Sequence, residues 1–208
     1  MGLRKRGKGS GSGKPRATSG SSGSMVRAVI GLFACFTLLL EPSHALAQAN
    51  DDAEYRVKLA FLYNFAQFVQ WPPEAFRDPA APLTICVAGP DPFKGSIEQD
   101  LRGRTAGGHP LQLKTLEPDD DPRACHMIFV RASEKRITSK ILADLKGSST
   151  LTIGETKGFA DLGGVINLTI EQNKLRFEIN LDAAMETRLK ISSKLLELAK
   201  IVRVGSNP

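Results

Sequence analysis

The stretch LTICVAG, residues 83–89, is a short uninterrupted apolar run that ends in glycine. Two further runs of this kind are CHMIFV at residues 125–130 and LTIG at residues 151–154. Short continuous apolar runs bounded by turn residues are typical of strands that are buried on both faces of a sheet. The sequence therefore predicts a sheet whose central strands are covered by other elements on both sides.

Helical patterns alternate with these strands. The predicted helices cover residues 54–71, 93–101, 133–145 and 182–204. An alternating segment at 111–116 is typical of an edge strand, and segments 165–170 and 174–180 form a hairpin through the turn at 171–173. We therefore predict an α/β domain with a mixed β-sheet that is flanked by helices on both faces. A C-terminal β-hairpin followed by a long helix completes this prediction.

The basic charge of the chain is confined to its N-terminus. Residues 1–24 are rich in glycine and serine and contain six basic residues and no acidic one, whereas residues 50–208 carry equal numbers of acidic and basic side chains. A Gly/Ser-rich segment does not bury a core, so residues 1–24 are predicted to be a disordered tail. The neutral remainder, residues 50–208, is predicted to be a single domain, and nucleic acid is not an expected partner.

Residues 25–49 have the pattern of a secretory signal peptide. Arg27 precedes an apolar run at residues 28–40, and the small-residue sequence ALAQA follows at residues 45–49. We expect cleavage after Ala47 or Ala49 and export to the periplasm. A membrane anchor is the alternative, but the run is shorter than the roughly 20 residues that span a bilayer. The pattern leaves open whether Met1 or Met25 is the true start.

Two cysteines, Cys86 and Cys125, lie in the predicted domain, whereas Cys35 belongs to the signal peptide. A lone pair of cysteines in an oxidising compartment is normally joined in a disulfide. Two buried free thiols are the alternative, because each cysteine adjoins an apolar run.

Motifs of catalysis and metal binding are absent from the sequence. The predicted domain has only His109 and His126, and no pair of cysteines or histidines has metal-ligand spacing. There is no G-x-S-x-G and no G-x-G-x-x-G. We therefore expect no metal, no cofactor and no catalytic residues. A hydrolase that uses a pair of carboxylates stays open as an alternative.

A glycine-rich loop at residues 158–164 is the predicted partner-binding segment. Gly158, Gly163 and Gly164 allow another protein to approach the backbone closely, and Phe159 is a candidate aromatic anchor for a partner's pocket. Burial of Phe159 in the core is the competing interpretation, and a plain tight connection is the alternative for the loop.

Arg176, Glu178 and Asn180 are the predicted ligand-binding residues. The two-residue period of a strand places them on one face, opposite Leu175, Phe177 and Ile179. An arginine on a rigid strand can pair with a phosphate or a carboxylate. A solvated hairpin face explains the same pattern without a ligand.

Six segments, taken in order, resemble the YfiR family of periplasmic proteins between about residues 54 and 202. They are EYRVKLAFLYNFAQFVQWP, LTICVAGPDPF, CHMIFVRASE, LTIGETKGFADLGGVINL, RFEINLDAA and LKISSKLLELAKIV. The resemblance implies an α/β fold, a disulfide between Cys86 and Cys125, and an ability to form homodimers. It also implies small-ligand binding at Arg176 and Glu178, although the acid at Glu178 departs from the family pattern and argues against a phosphate ligand.

The resemblance further implies a non-enzymatic function. A YfiR-like protein represses a membrane-bound diguanylate cyclase through the sensor region of that cyclase, and an OmpA-like outer-membrane lipoprotein relieves the repression. The output is control of cyclic di-GMP and of biofilm formation. The alternative is a periplasmic small-ligand-binding protein that serves a transporter or a sensor kinase.

Overall fold

A computed structural model describes residues 43–93 and 101–203, with side chains from residue 53 onward. The chain divides into two units, residues 1–47 and 48–208, and the fold below is that of the second unit. The predicted tail and most of the predicted signal peptide lie outside the described residues, as do residues 94–100 of the second predicted helix. Within the described ranges, no helix is both long and apolar enough to cross a bilayer.

Eight strands form one mixed sheet in the order β10-β8-β7-β6-β5-β2-β4-β3. Their bounds are β2 Leu83–Ala88, β3 Thr105–Ala106, β4 His109–Leu116, β5 Met127–Val130, β6 Leu151–Gly154, β7 Ile166–Glu171, β8 Lys174–Asn180 and β10 Lys200–Val202. Strands β4, β2, β5, β6 and β7 run parallel, whereas β7 and β8 form the predicted antiparallel hairpin. Two shorter strands, β1 at Val69–Gln70 and β9 at Lys190–Ile191, pair separately.

The described helices are α1 Ser43–Phe68, α2 Lys135–Asp144, α3 Leu181–Glu186 and α4 Ser193–Leu198. Alternate residues of each central strand point to opposite faces of the sheet. Ile85 and Phe129 belong to the larger apolar cluster, which includes residues of α1, whereas Ile128 packs with Ile141 of α2 in the smaller cluster. Helices therefore cover both faces of the central strands, which confirms the predicted α/β class.

The disulfide between Cys86 and Cys125 is present. Both residues are buried in the smaller apolar cluster, and their Cα atoms are 5.9 Å apart. Cys86 lies in the middle of β2 and Cys125 comes just before β5, so the bond joins two neighbouring strands of the central sheet. The alternative of two free thiols is thereby excluded.

The predicted long terminal helix is wrong. Residues 181–202 form α3, β9, α4 and β10. After α3 the chain turns at Arg188, whose φ of 59° is left-handed, and β9 then pairs with β1. Beyond α4, β10 pairs with the edge of β8. Backbone hydrogen bonds to distant strands thus replace the intrahelical bonds that the local apolar spacing favoured, a case of tertiary context overriding propensity.

Candidate functional site

The carboxyl ends of the parallel strands lie on the same side of the sheet. The order of the strands reverses at β2. From β2 the chain passes to β4 on one side, and then to β5 on the other side. Ligand sites in open α/β sheets lie outside the carboxyl ends of the strands at such a reversal. The residues that directly follow β2, β5 and β6 are Gly89, Arg131 and Glu155, and this edge is therefore the candidate site.

Helix α1 contributes two polar side chains to this edge. Lys58 Nζ lies 2.5 Å from Glu155 Oε2, and the Tyr55 hydroxyl donates to Glu155 Oε1 at 3.1 Å. Arg131 donates to that hydroxyl at 2.9 Å and to the carbonyl oxygen of Pro90, also at 2.9 Å. These bonds connect α1 to the segments that follow β2, β5 and β6.

The effects of burial and of neighbouring charges on the pKa values oppose each other in this cluster. The side chains of Lys58 and Glu155 are each only 6% exposed. Burial by itself lowers the pKa of Lys58, but the hydrogen bonds that its ammonium donates to Glu155 and Glu54 more than offset that effect and raise the pKa. Burial also raises the pKa of Tyr55, which keeps the hydroxyl protonated and able to donate. Lys58 and Glu155 therefore satisfy each other's buried charge, whereas Arg131 Nε is buried without a hydrogen-bond partner among the described residues.

We expect Glu155→Ala to lower the free energy of unfolding by about 2–3 kcal/mol, because it leaves the buried Lys58 ammonium without its buried partner. Glu54→Ala is the matched control: Glu54 pairs with the same ammonium but is 40% exposed, so a change below about 1 kcal/mol is expected. Urea denaturation of both variants measures the difference. Equal losses in the two variants would contradict this interpretation.

A cleft of about 900 Å³ opens beside the cluster. One wall contains Glu54, Tyr55 and Lys58 of α1, and the opposite wall is the β7–β8 hairpin. The hairpin projects past the edge of the central sheet, because pairing of β6 with β7 ends at Gly154 while β7 continues to Glu171. The loop after β6 closes one end of the cleft with Lys157, Gly158 and Asp161.

The cleft brings together parts of the two sites that were predicted separately. Gly158 from the glycine-rich loop and Glu178 from the hairpin both line it. Glu178 accepts hydrogen bonds from Asn167 Nδ2 at 3.2 Å and from Lys200 Nζ at 2.8 Å. Arg176 is exposed and does not line the cleft, although it lies two residues from Glu178 in β8.

Asn180 has a structural position rather than a place in the cleft. It is 1% exposed, and its Nδ2 donates to the carbonyl oxygen of Ala160 at 2.9 Å. Its Oδ1 accepts from the backbone N–H of Ala183 and so caps α3. Both polar ends of the side chain are used within the fold, and the expectation that Asn180 contacts a ligand is therefore wrong.

The expectation of an exposed Phe159 is also wrong, and the competing interpretation of core burial is right. Phe159 is completely buried in the smaller apolar cluster. Its ring lies against Gly154 and Gly164, and a Cβ atom at either glycine would overlap the ring. These glycines make room for the aromatic ring. The exposed residues of the loop are Asp161, Leu162 and Gly163, and Lys157 just before it is also exposed, so these residues rather than Phe159 are accessible to a partner.

Sequence reasoning missed the cluster of Tyr55, Lys58, Arg131 and Glu155. The one available signal was the position of Arg131 and Glu155 directly after two apolar strands, where parallel strands present their carboxyl ends. In the part of the chain that the structure describes, no group of three or more His, Cys, Asp or Glu side chains is placed to hold a metal ion. The geometry of the cleft suits binding, since the buried charges beside it are already paired.

A comparison with known protein families identifies a match. The family described as YfiR/HmsC-like matches this chain over residues 55–200. This range includes the whole sheet except the last two residues of β10, and all of the residues that line the cleft except Glu54 and Val202. The match confirms the resemblance found in the sequence.

Proposed function

We propose, since this chain belongs to the YfiR/HmsC-like family, that it is a periplasmic regulatory protein that holds a membrane-bound diguanylate cyclase inactive. The family match over residues 55–200 is the observation that carries this proposal. The contact is with the periplasmic sensor region of the cyclase, and an OmpA-like outer-membrane lipoprotein relieves repression by binding the regulator. The consequence is control of cyclic di-GMP and of biofilm formation.

The features of the cleft support a binding role. The cleft is open to solvent on the projecting hairpin, where Ile170 is 57% exposed. Large exposed aliphatic side chains are common at protein interfaces. We propose that the cleft and the loop after β6 contact the sensor region through Lys157, Gly158 and Asp161. The buried Phe159 ring stabilises this loop by packing beneath it.

A second candidate function is small-ligand binding on behalf of a transporter or a sensor kinase. Two buried oxygen atoms in the lining of the cleft favour it: Asn167 Oδ1 and Thr169 Oγ1 have no hydrogen-bond partner among the described residues. A ligand with N–H or O–H donors satisfies such atoms. A ligand bound here also provides a means to regulate the proposed interaction.

We expect deletion of the gene to raise cyclic di-GMP and surface attachment, because loss of a repressor releases its cyclase. A cyclic di-GMP reporter in deleted and complemented strains measures this. Complementation with Lys157→Glu is expected to restore repression only in part, whereas Lys135→Glu, an exposed lysine at the start of α2, should restore it fully. Unchanged cyclic di-GMP in the deletion strain would reject the repressor proposal and leave the ligand-binding function.

A further inference from the structure

A second groove lies between α2 and the segment that follows β4. It has a volume of about 570 Å³ and shares no lining residue with the cleft. Its floor and walls include five apolar side chains, which are Leu116, Pro118, Pro122, Ile137 and Ile141. Ile137 is 38% exposed although it is a large aliphatic residue on a regular helix. The groove therefore offers apolar surface to an occupant.

The rim of this groove is acidic on both sides. Asp120 pairs with Lys114 at 2.9 Å, and Asp144 pairs with Lys140 at 2.7 Å. Glu117 and Glu134 also line the groove, and neither forms an ion pair with a described residue. Two carboxylates, one on each wall, are thus available to a positively charged group.

The rim is also held in place. Pro118 and Pro122 restrict the backbone of the wall opposite α2. The side chain of Glu134 lies over Gly89, whose φ of 103° is left-handed, and a Cβ atom at Gly89 would come within 2.6 Å of Glu134 Cγ. Glycine at this position therefore lets the Glu134 side chain lie across the end of the groove. A preformed groove loses little entropy when it binds.

The spacing along α2 indicates the shape of the occupant. Glu134, Ile137, Ile141 and Asp144 follow one another at helical spacing along one stripe, about 15 Å long at 1.5 Å per residue. An apolar stripe with an unpaired carboxylate at its Glu134 end, opposite a wall that carries Glu117, matches a segment in which basic residues flank aliphatic ones. Amphipathic helices present this pattern when they bind in grooves.

We propose that this groove is a docking site for an amphipathic helical segment of a partner protein, one that presents aliphatic side chains flanked by lysine or arginine. Electrostatic complementarity selects such a segment, and the apolar floor provides the contact area. An anionic membrane surface is disfavoured, because its charge has the same sign as the rim. The site is independent of the proposed repressor function, since it rests on Gly89 and residues 116–122 and 134–144, none of which lines the cleft.

The test uses the exported chain with its disulfide intact and a synthetic helical peptide of leucine and lysine, about 14 residues or four turns long. The leucines lie on one face at helical spacing. Two-dimensional NMR titration should shift the amide signals of residues 116–122 and 134–144. The double variant Glu117→Lys with Glu134→Lys should weaken binding at least tenfold. A second variant, Ile137→Gln, tests the apolar floor without adding charge and should also weaken binding.

The matched control is Glu186→Lys with Glu197→Lys, two exposed glutamates that line neither the groove nor the cleft and form no ion pair among the described residues. It should bind the peptide as tightly as the parent chain does, and thermal melts should confirm that all variants are folded. Equal weakening by the control, shifts outside the groove, or equal binding of a leucine–glutamate peptide would overturn the proposal. So would ultracentrifugation that shows a dimer lost only in the groove variants, because the occupant would then be a second copy.

Discussion

Replacing Phe159 by alanine is expected to lower the free energy of unfolding by about 3–5 kcal/mol. The side chain is fully buried and packs in a cluster with Cys86, Ile128 and Ile141. Removal of the ring leaves a cavity that the surrounding strands can fill only in part, because they are fixed by hydrogen bonds on both sides. This loss is a large fraction of the 5–15 kcal/mol by which domains are typically stable, so we also expect less folded protein in the cell.

Urea denaturation of the purified chain measures the Phe159→Ala effect. Leu162→Ala is the matched control, since Leu162 lies in the same loop but is 50% exposed, and a change within about 0.5 kcal/mol is expected. An unchanged stability of Phe159→Ala together with weakened repression would restore the interpretation of Phe159 as a surface anchor. The structure predicts a loss of stability, and under the proposed function repression falls with it.

The central strands could be predicted from the sequence because each is buried on both faces. Residues 83–88, 127–130 and 151–154 are apolar apart from Thr84 and Thr152, and no partner needs to be known to recognise such a run. The hairpin was equally recognisable, because its turn residues Gln172 and Asn173 adopt the left-handed conformation that asparagine tolerates. In both cases the signal is local, and tertiary contacts reinforce it.

The terminal helix and the position of Phe159 could not be predicted, because distant contacts decide both. Residues 190–191 and 200–202 are extended since they pair with β1 and β8, and local spacing carries no trace of these partners. The glycines around Phe159 were interpreted as a sign of an open loop. They have the opposite effect, because Gly154 and Gly164 allow the ring to lie between two backbone segments.

The candidate site was even harder to predict from the sequence, because its residues come from distant parts of the chain. Lys58 and Glu155 form the buried ion pair beside the cleft, yet they are separated by 97 residues along the chain. Either residue alone has the sequence environment of an ordinary surface charge. Helix α1 brings Lys58 to Glu155 at the carboxyl ends of the parallel strands. Arg131, directly after β5, reaches the Tyr55 hydroxyl in the same cluster. A site assembled from several strand ends becomes visible only when the strand order is known.

Breaking the disulfide is the second change with a large expected effect. Cys86→Ser should lower the free energy of unfolding by about 2–5 kcal/mol. The bond closes a segment with a sequence separation of 39 residues, and the chain-entropy model assigns about 3–4 kcal/mol to a closure of that length. The closed segment includes β3, β4 and the whole of the β2-to-β5 connection. Loss of the disulfide therefore affects the two strands at one edge of the sheet.

Three comparisons separate loss of the bond from a local effect at Cys86. The chain carries Cys35→Ser throughout, so that only two cysteines remain. Cys125→Ser and the double variant should both match Cys86→Ser within about 1 kcal/mol, because all three remove the same bond. Reductant should lower the stability of the parent chain to the same level and leave the variants unchanged. Two thiols that react with maleimide in the unfolded, unreduced parent chain would contradict the disulfide, and a double variant that loses twice as much as either single variant would assign the effect to packing of the two side chains.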